Sequence, residues 1–474
     1  MTPRRPARSE LGDFTADPRI VTISLIGIII GALSCAVAVG LLALITFFTN
    51  VFFFGAFDFV ERTPAEHSLG MLVIGVPVAG SLIIGLMARY GSERIRGHGI
   101  PEAIEAILLN RSRVEPKLAV LKPLSSAISI GSGGPFGAEG PIIMTGGAFG
   151  SLTAQFLHLT SAERKTLLVA GAAAGMSATF ASPVAAVLLA VELLLFEWKP
   201  RSLVPVGLAS MTAAILRHYW IGPAPLFPTA AHTAFVGIEG ALLCAVAGIL
   251  AGLLSIGLTL SVYFFEDAFH RLPIHWMWWP AIGGVFVGLG GWWFPEALGV
   301  GYATIGALLQ GDVTMHLVIG ILLVKWTIWA IALGSGTSGG VLAPLLMIGG
   351  ALGAVETSFF PGYGVGFWPM LSMAATLGGT MRSPFTAILF ALELTHEFNM
   401  LFPLMVAVFV SYGFTAVTMK RSILTEKVSR RGFHLSREYA IDPLEIMLVR
   451  DVMRTDIIVL SPADAAAPEA VRQR

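Results

Sequence analysis

Gly131-Ser-Gly-Gly-Pro-Phe-Gly-Ala-Glu-Gly-Pro141 runs straight into Ile142-Ile-Met-Thr-Gly-Gly-Ala-Phe-Gly150. Shifted by 203 residues, the chain reads Gly334-Ser-Gly-Thr-Ser-Gly-Gly-Val-Leu-Ala-Pro344, then Leu345-Leu-Met-Ile-Gly-Gly-Ala-Leu-Gly353. Gly131, Gly133, Gly137, Gly146, Gly147 and Gly150 all find partners, and Pro141 pairs with Pro344. Three more blocks repeat in the same order. Gly31-Ala-Leu-Ser-Cys-Ala-Val-Ala38 matches Gly240-Ala-Leu-Leu-Cys-Ala-Val-Ala247. Gly97-His-Gly99 matches Gly299-Val-Gly301, and Ser182-Pro183 through Glu192-Leu193 matches Ser383-Pro384 through Glu393-Leu394. Four ordered blocks indicate a duplication. Duplicated halves with Gly/Pro-interrupted apolar segments at matching places are a transporter architecture, whose site lies where the halves meet.

The surrounding composition fits a membrane. Of 474 residues, 55% are hydrophobic and 13% charged, against about 25% charged in soluble domains. That excludes disorder over most of the chain. Cys35 and Cys244 both lie in apolar runs, so a disulfide scaffold is not expected. Thirty basic residues balance thirty acidic ones, which gives no reason to expect nucleic acid. Residues 20–55 carry no charge, more than the ~20 apolar residues a spanning helix needs. Other apolar runs are short or cut by Gly and Pro, so broken, re-entrant helices are expected. Arg4, Arg5, Arg8 and Arg19 precede the first run, and Lys420, Arg421, Lys427, Arg430, Arg431 and Arg437 follow the last. The positive-inside rule then places both termini in the cytoplasm. The expected layout is a cytoplasmic segment 1–19, membrane repeats 20–216 and 238–432 joined by a linker 217–237, and a cytoplasmic tail 433–474. The fold class is all-α, polytopic, with many short tilted and broken helices.

Each Gly-rich turn feeds an apolar helix. The first turn of a helix has unpartnered N–H groups and the positive dipole end. Two such ends converging would hold an anion without any Lys or Arg.

The motifs resemble those of the CLC family of chloride channels and chloride/proton antiporters, over roughly residues 20–440. Gly97-His-Gly-Ile-Pro-Glu102 resembles the first filter motif, Gly137-Ala-Glu-Gly-Pro141 the second and Gly340-Val-Leu-Ala-Pro344 the third. Ser422-Ile-Leu-Thr-Glu-Lys427 resembles the segment that usually carries a filter tyrosine. The resemblance implies inverted halves, a homodimer with one pore per subunit, and chloride or a similar monovalent anion as cargo. It makes Glu139 the gate. The expected anion site comprises His98, Gly137, Ala138, Glu139, Gly140, Gly340, Val341, Leu342, Ala343 and Leu424, with no cofactor and no metal. A carboxylate at a helix start mimics the anion, and in a dry pocket a carboxyl group takes a proton more readily. The repeat partner of Glu139 is Leu342, so the duplicated turn does not itself require the acid.

Departures from the family pattern carry expectations too. His98 stands for the usual serine, Leu424 for the tyrosine and Ala138 for an arginine beside the gate. Leu193 falls where family antiporters carry an inner glutamate. Leucine cannot relay a proton, so passive, channel-like conduction is the expected mode and proton-coupled antiport the alternative. Glu192/Glu393 and Ser182/Ser383 are expected to serve helix ends. Gly336-Thr-Ser-Gly339 also fits an intramembrane serine protease pattern with Ser338 as nucleophile, a remote alternative in a chain with 53 glycines. Residues 446–460 resemble the opening of a CBS domain, with too little chain after them for a packed domain.

Overall fold

The computed structural model describes residues 18–432. The expected CBS-like tail and the first arginines lie outside the described residues. Among those residues the structure is helical, with no strand and two isolated β-bridges, Gly97 to Ser338 and Gly137 to Gly340.

The first half is α1 (Arg19–Thr49), α2 (Gly75–Tyr90), α3 (Ile100–Leu108), α4 (Pro116–Gly131), α5 (Glu139–Phe156), α6 (Ser161–Phe180), α7 (Pro183–Leu189) and α8 (Pro200–Trp220). The second half answers it: α9 (Ile238–His270), α10 (Trp279–Trp293), α11 (Tyr302–Gln310), α12 (Met315–Gly320) continuing into α13 (Trp326–Gly334), α14 (Leu342–Glu356), α15 (Phe367–Met381), α16 (Pro384–Thr395) and α17 (Leu401–Thr418). A last helix, α18 (Ile423–Arg430), has no counterpart. Between the halves, α8 ends at Trp220 and α9 begins at Ile238.

Among the described residues, five helical stretches are long and apolar enough to cross a bilayer: Arg19–Phe54, Gly70–Tyr90, Ile238–His270, Met315–Gly334 and Phe398–Arg430. The repeated helices α7, α14 and α16 are shorter. Prolines start several of them, since an N–H missing from the first turn loses no intrahelical bond. The glycine excess is spent on backbone contact. A Cβ on Gly150 of α5 would stand 2.0 Å from the Leu167 carbonyl oxygen of α6, and one on Gly353 of α14 would stand 2.2 Å from that of Trp368 on α15. Small residues let helices approach this closely.

The halves exchange equivalent contacts. The Glu192 carboxylate follows α7 and accepts from Phe385 N–H (3.2 Å), Thr386 N–H (2.8 Å) and the Thr386 hydroxyl (2.5 Å) at the start of α16. Glu393 near the end of α16 accepts from Val184 N–H (2.9 Å) and Ala185 N–H (2.8 Å) at the start of α7. The two acids do serve helix ends, but each serves the other half's helix. Such reciprocity is what a two-fold relation between the halves produces.

Candidate functional site

The two Gly-rich turns meet at the centre. Gly137 N–H donates to the Gly340 carbonyl at 3.3 Å, and Gly340 N–H donates back to Gly137 at 2.8 Å. These are repeat-equivalent residues. The expectation that their amides would face an anion is corrected: the two N–H groups are occupied by each other. Their role is spatial, because a Cβ on Gly137 would stand 1.9 Å from a Glu139 carboxylate oxygen and one on Gly340 would stand 2.5 Å away.

That space holds Glu139. It is the first residue of α5, fully buried, and its Oε1 accepts from the Ala343 N–H of α14 at 3.1 Å. Its Oε2 has no hydrogen-bond partner among the described residues. Pro141 and Pro344 each sit third in their helices, so fewer amides crowd each helix start. Ala138, Gly140, Val341, Leu342 and Ala343 are all buried around this point. The helix starts of α5 and α14 therefore converge on one carboxylate, where a small anion would find the same field.

The Gly97-His-Gly99 turn closes the site from a third direction. Gly97 (φ 93°) and Gly99 (φ 90°) take a backbone conformation that L side chains rarely adopt, and a Cβ on Gly99 would strike the Gly140 carbonyl at 2.3 Å. His98 is buried, with Nδ1 lacking a partner among the described residues. Glu102 accepts from Gly99 N–H at 2.7 Å and pairs with Lys427 of α18 at 3.0 Å. Leu424 is also buried on α18 but brings no polar atom. The adjoining Ile423 carbonyl accepts from Tyr263 of α9 at 2.5 Å.

A cavity of about 720 Å³ opens beside His98, lined by Arg96, Tyr263, Glu266, Lys427 and Arg430 among others. It lies at the C-terminal end of α9. A second cavity of about 350 Å³, lined by Phe227, Tyr302, Gln310 and Asp312, lies near the linker that precedes the N-terminus of α9. The first cavity reaches the Gly97-His98 turn and the second reaches Tyr302 at the start of α11.

Two buried lysines beside the site escaped the sequence reading. Lys122 of α4 is fully buried and donates to the Ile95 and Gly97 carbonyls, both at 2.8 Å. Lys325 is equally buried and donates to the Ala297 (2.9 Å) and Gly299 (2.6 Å) carbonyls. Each holds one Gly-x-Gly turn. The signal was present: the lysines are 203 residues apart, as are Gly137 and Gly340. Ser338, the protease candidate, is bonded to Ser126 (2.8 Å) and Ser125 (3.2 Å) rather than to a histidine.

A buried carboxylate between facing helix starts, on a duplicated scaffold whose helices are long and apolar enough to cross a bilayer, has the form of a membrane transport protein. Residues 80–416 match the voltage gated chloride channel family. The chain belongs to that family, the CLC proteins. It is 28% identical to a ClcB-like protein of Ralstonia nicotianae, named as a chloride channel, over 75% of this chain and 85% of that one. It is also 28% identical to the H(+)/Cl(-) exchange transporter ClcA of Yersinia pestis, over 68% of this chain and 70% of that one. A slow cyanobacterial Cl-/H+ antiporter has the same fold, with a TM-score of 0.75 at 21% identity over 88% of this chain and 99% of that one.

Proposed function

We propose that this chain carries chloride, or a similar monovalent anion, across a membrane in exchange for protons, with Glu139 as the gate. The observation that carries this reading is the Glu139 carboxylate itself, fully buried and held by Ala343 N–H at the meeting of two helix starts. An anion and a carboxylate compete for that place, and a proton on the carboxylate ends the competition.

Passive conduction, expected from Leu193 alone, becomes the second reading. Relatives that carry exchange in their names support coupling. Leu193 is buried and apolar here, so coupling requires another inner proton acceptor.

His98 enters as a donor to the anion. Its Nδ1 is buried with no partner among the described residues, and a neutral imidazole donates through one nitrogen without adding charge. The arginine-lined cavity is the cytoplasmic mouth in this reading, with both termini on that side, and the protein works as a homodimer.

The test is flux from liposomes with chloride and pH recorded together. Uphill proton movement driven by a chloride gradient is expected. Chloride flux without proton movement returns the reading to a channel, and no anion flux at all overturns both.

A further inference from the structure

The outer mouth holds a polar group with no assigned work. Tyr302 opens α11, and its ring is partly open to the 350 Å³ cavity. Its hydroxyl oxygen is buried without a hydrogen-bond partner among the described residues. A buried tyrosine hydroxyl ordinarily finds one. We propose that the Tyr302 hydroxyl is the outer partner of the gate, receiving the protonated Glu139 carboxyl when it leaves the anion site.

The placement supports this. Gly301 (φ 83°) packs so closely on α14 that a Cβ there would stand 2.8 Å from Met347 Sδ. Met347 lies one helical turn, about 5.4 Å, beyond Ala343, whose N–H holds Glu139. Phe180 and Phe227 face the Tyr302 ring at 6.4 and 6.0 Å, which makes the wall around it apolar. Other charged or titratable groups stand nearby. Asp312 lines the same cavity, and Lys325 Nζ comes within 3.8 Å of where a Gly301 Cβ would be. Lys325, however, is already bonded to two carbonyls. The repeat partner of Tyr302 is Ile100, so the scaffold needs no hydroxyl at this position.

The step moves no covalent bond. The carboxyl keeps its proton and either donates it to the phenol oxygen or accepts the phenol hydrogen on its carbonyl oxygen. The vacated place takes the anion. This inference rests on Glu139 being the gate, and its test separates the two ideas.

Infrared difference spectra of the full chain in lipid, recorded across a pH titration, should contain a protonated-carboxyl carbonyl band that Glu139→Gln removes. Tyr302→Phe keeps the ring and should move that band to higher frequency, because a hydrogen bond is lost. An unmoved band overturns the proposal, even if the chain proves to carry no chloride. In flux assays, Tyr302→Phe should lower proton movement per chloride about 2- to 10-fold, the reach of one hydrogen bond. The same substitution on Glu139→Ala should change nothing. An equal effect in that background would mean Tyr302 merely packs the mouth, and would also overturn it.

Discussion

The two halves differ where the chemistry lies and agree where the scaffold lies. Pro141 and Pro344, Gly137 and Gly340, Lys122 and Lys325, and Glu192 and Glu393 occupy equivalent places and make equivalent contacts. Glu139 faces Leu342 across the repeat, His98 faces Val300, and Tyr302 faces Ile100. A duplicated fold keeps what each half needs to stand. What one half alone possesses is free to act on the anion and the proton.

That contrast breaks first at Glu139. Glu139→Gln should abolish the pH dependence of anion flux and cut proton movement by more than about tenfold, the upper reach of a single well-placed acid–base group being larger still. In the unaltered protein, anion flux should rise as pH falls, because protonation removes the competing carboxylate. A Glu139→Gln protein that keeps its pH dependence would place the gate elsewhere.

The lysines come next. Lys122→Met and Lys325→Met each remove a donor from two buried carbonyls, although the Gly97 carbonyl still accepts from Gly339 N–H at 3.4 Å, and each carbonyl left unpaired costs about 1–3 kcal/mol. Similar falls in thermal midpoint are expected for both, measured in detergent. A large loss for one and none for the other would end their equivalence.

Smaller effects are expected at the crossed acids. Glu192→Gln and Glu393→Gln retain an acceptor but lose the charge, at about 1 kcal/mol each. Transport per folded molecule should survive. If Glu192→Gln instead stopped proton movement in a stable protein, that acid would belong to the proton path.

The smallest change is His98→Ser. Stability should hold, while the order of anion preference, read by competition flux, should shift by about 2- to 10-fold, the worth of one hydrogen bond.

The legible part of this protein was its repetition. The Gly/Pro turns, the prolines that start α7 and α16, and Glu139 as an acid without a repeat partner all stand in the sequence. The contacts that use them do not. Gly137 and Gly340 read as free amides because nothing local says that two turns 203 residues apart will pair. Glu192 and Glu393 read as acids that serve helix ends, and which helix each serves needs the three-dimensional two-fold. Lys122 and Lys325 disappear in a chain whose charges sum to zero. Tyr302 drew no reading from the sequence, because burial of a single hydroxyl leaves no trace in composition.

The crossed acids also set a timetable. The amides of Val184 and Ala185 wait for Glu393, and the Val184 bond spans 209 residues. At about 5–20 residues per second of synthesis, that delay is roughly 10–40 s. During this interval the first half is in the bilayer with its α7 start unsatisfied. The newborn chain must therefore wait for its own second half, and slowing the ribosome between 185 and 393 should lengthen its exposure to membrane quality-control proteases.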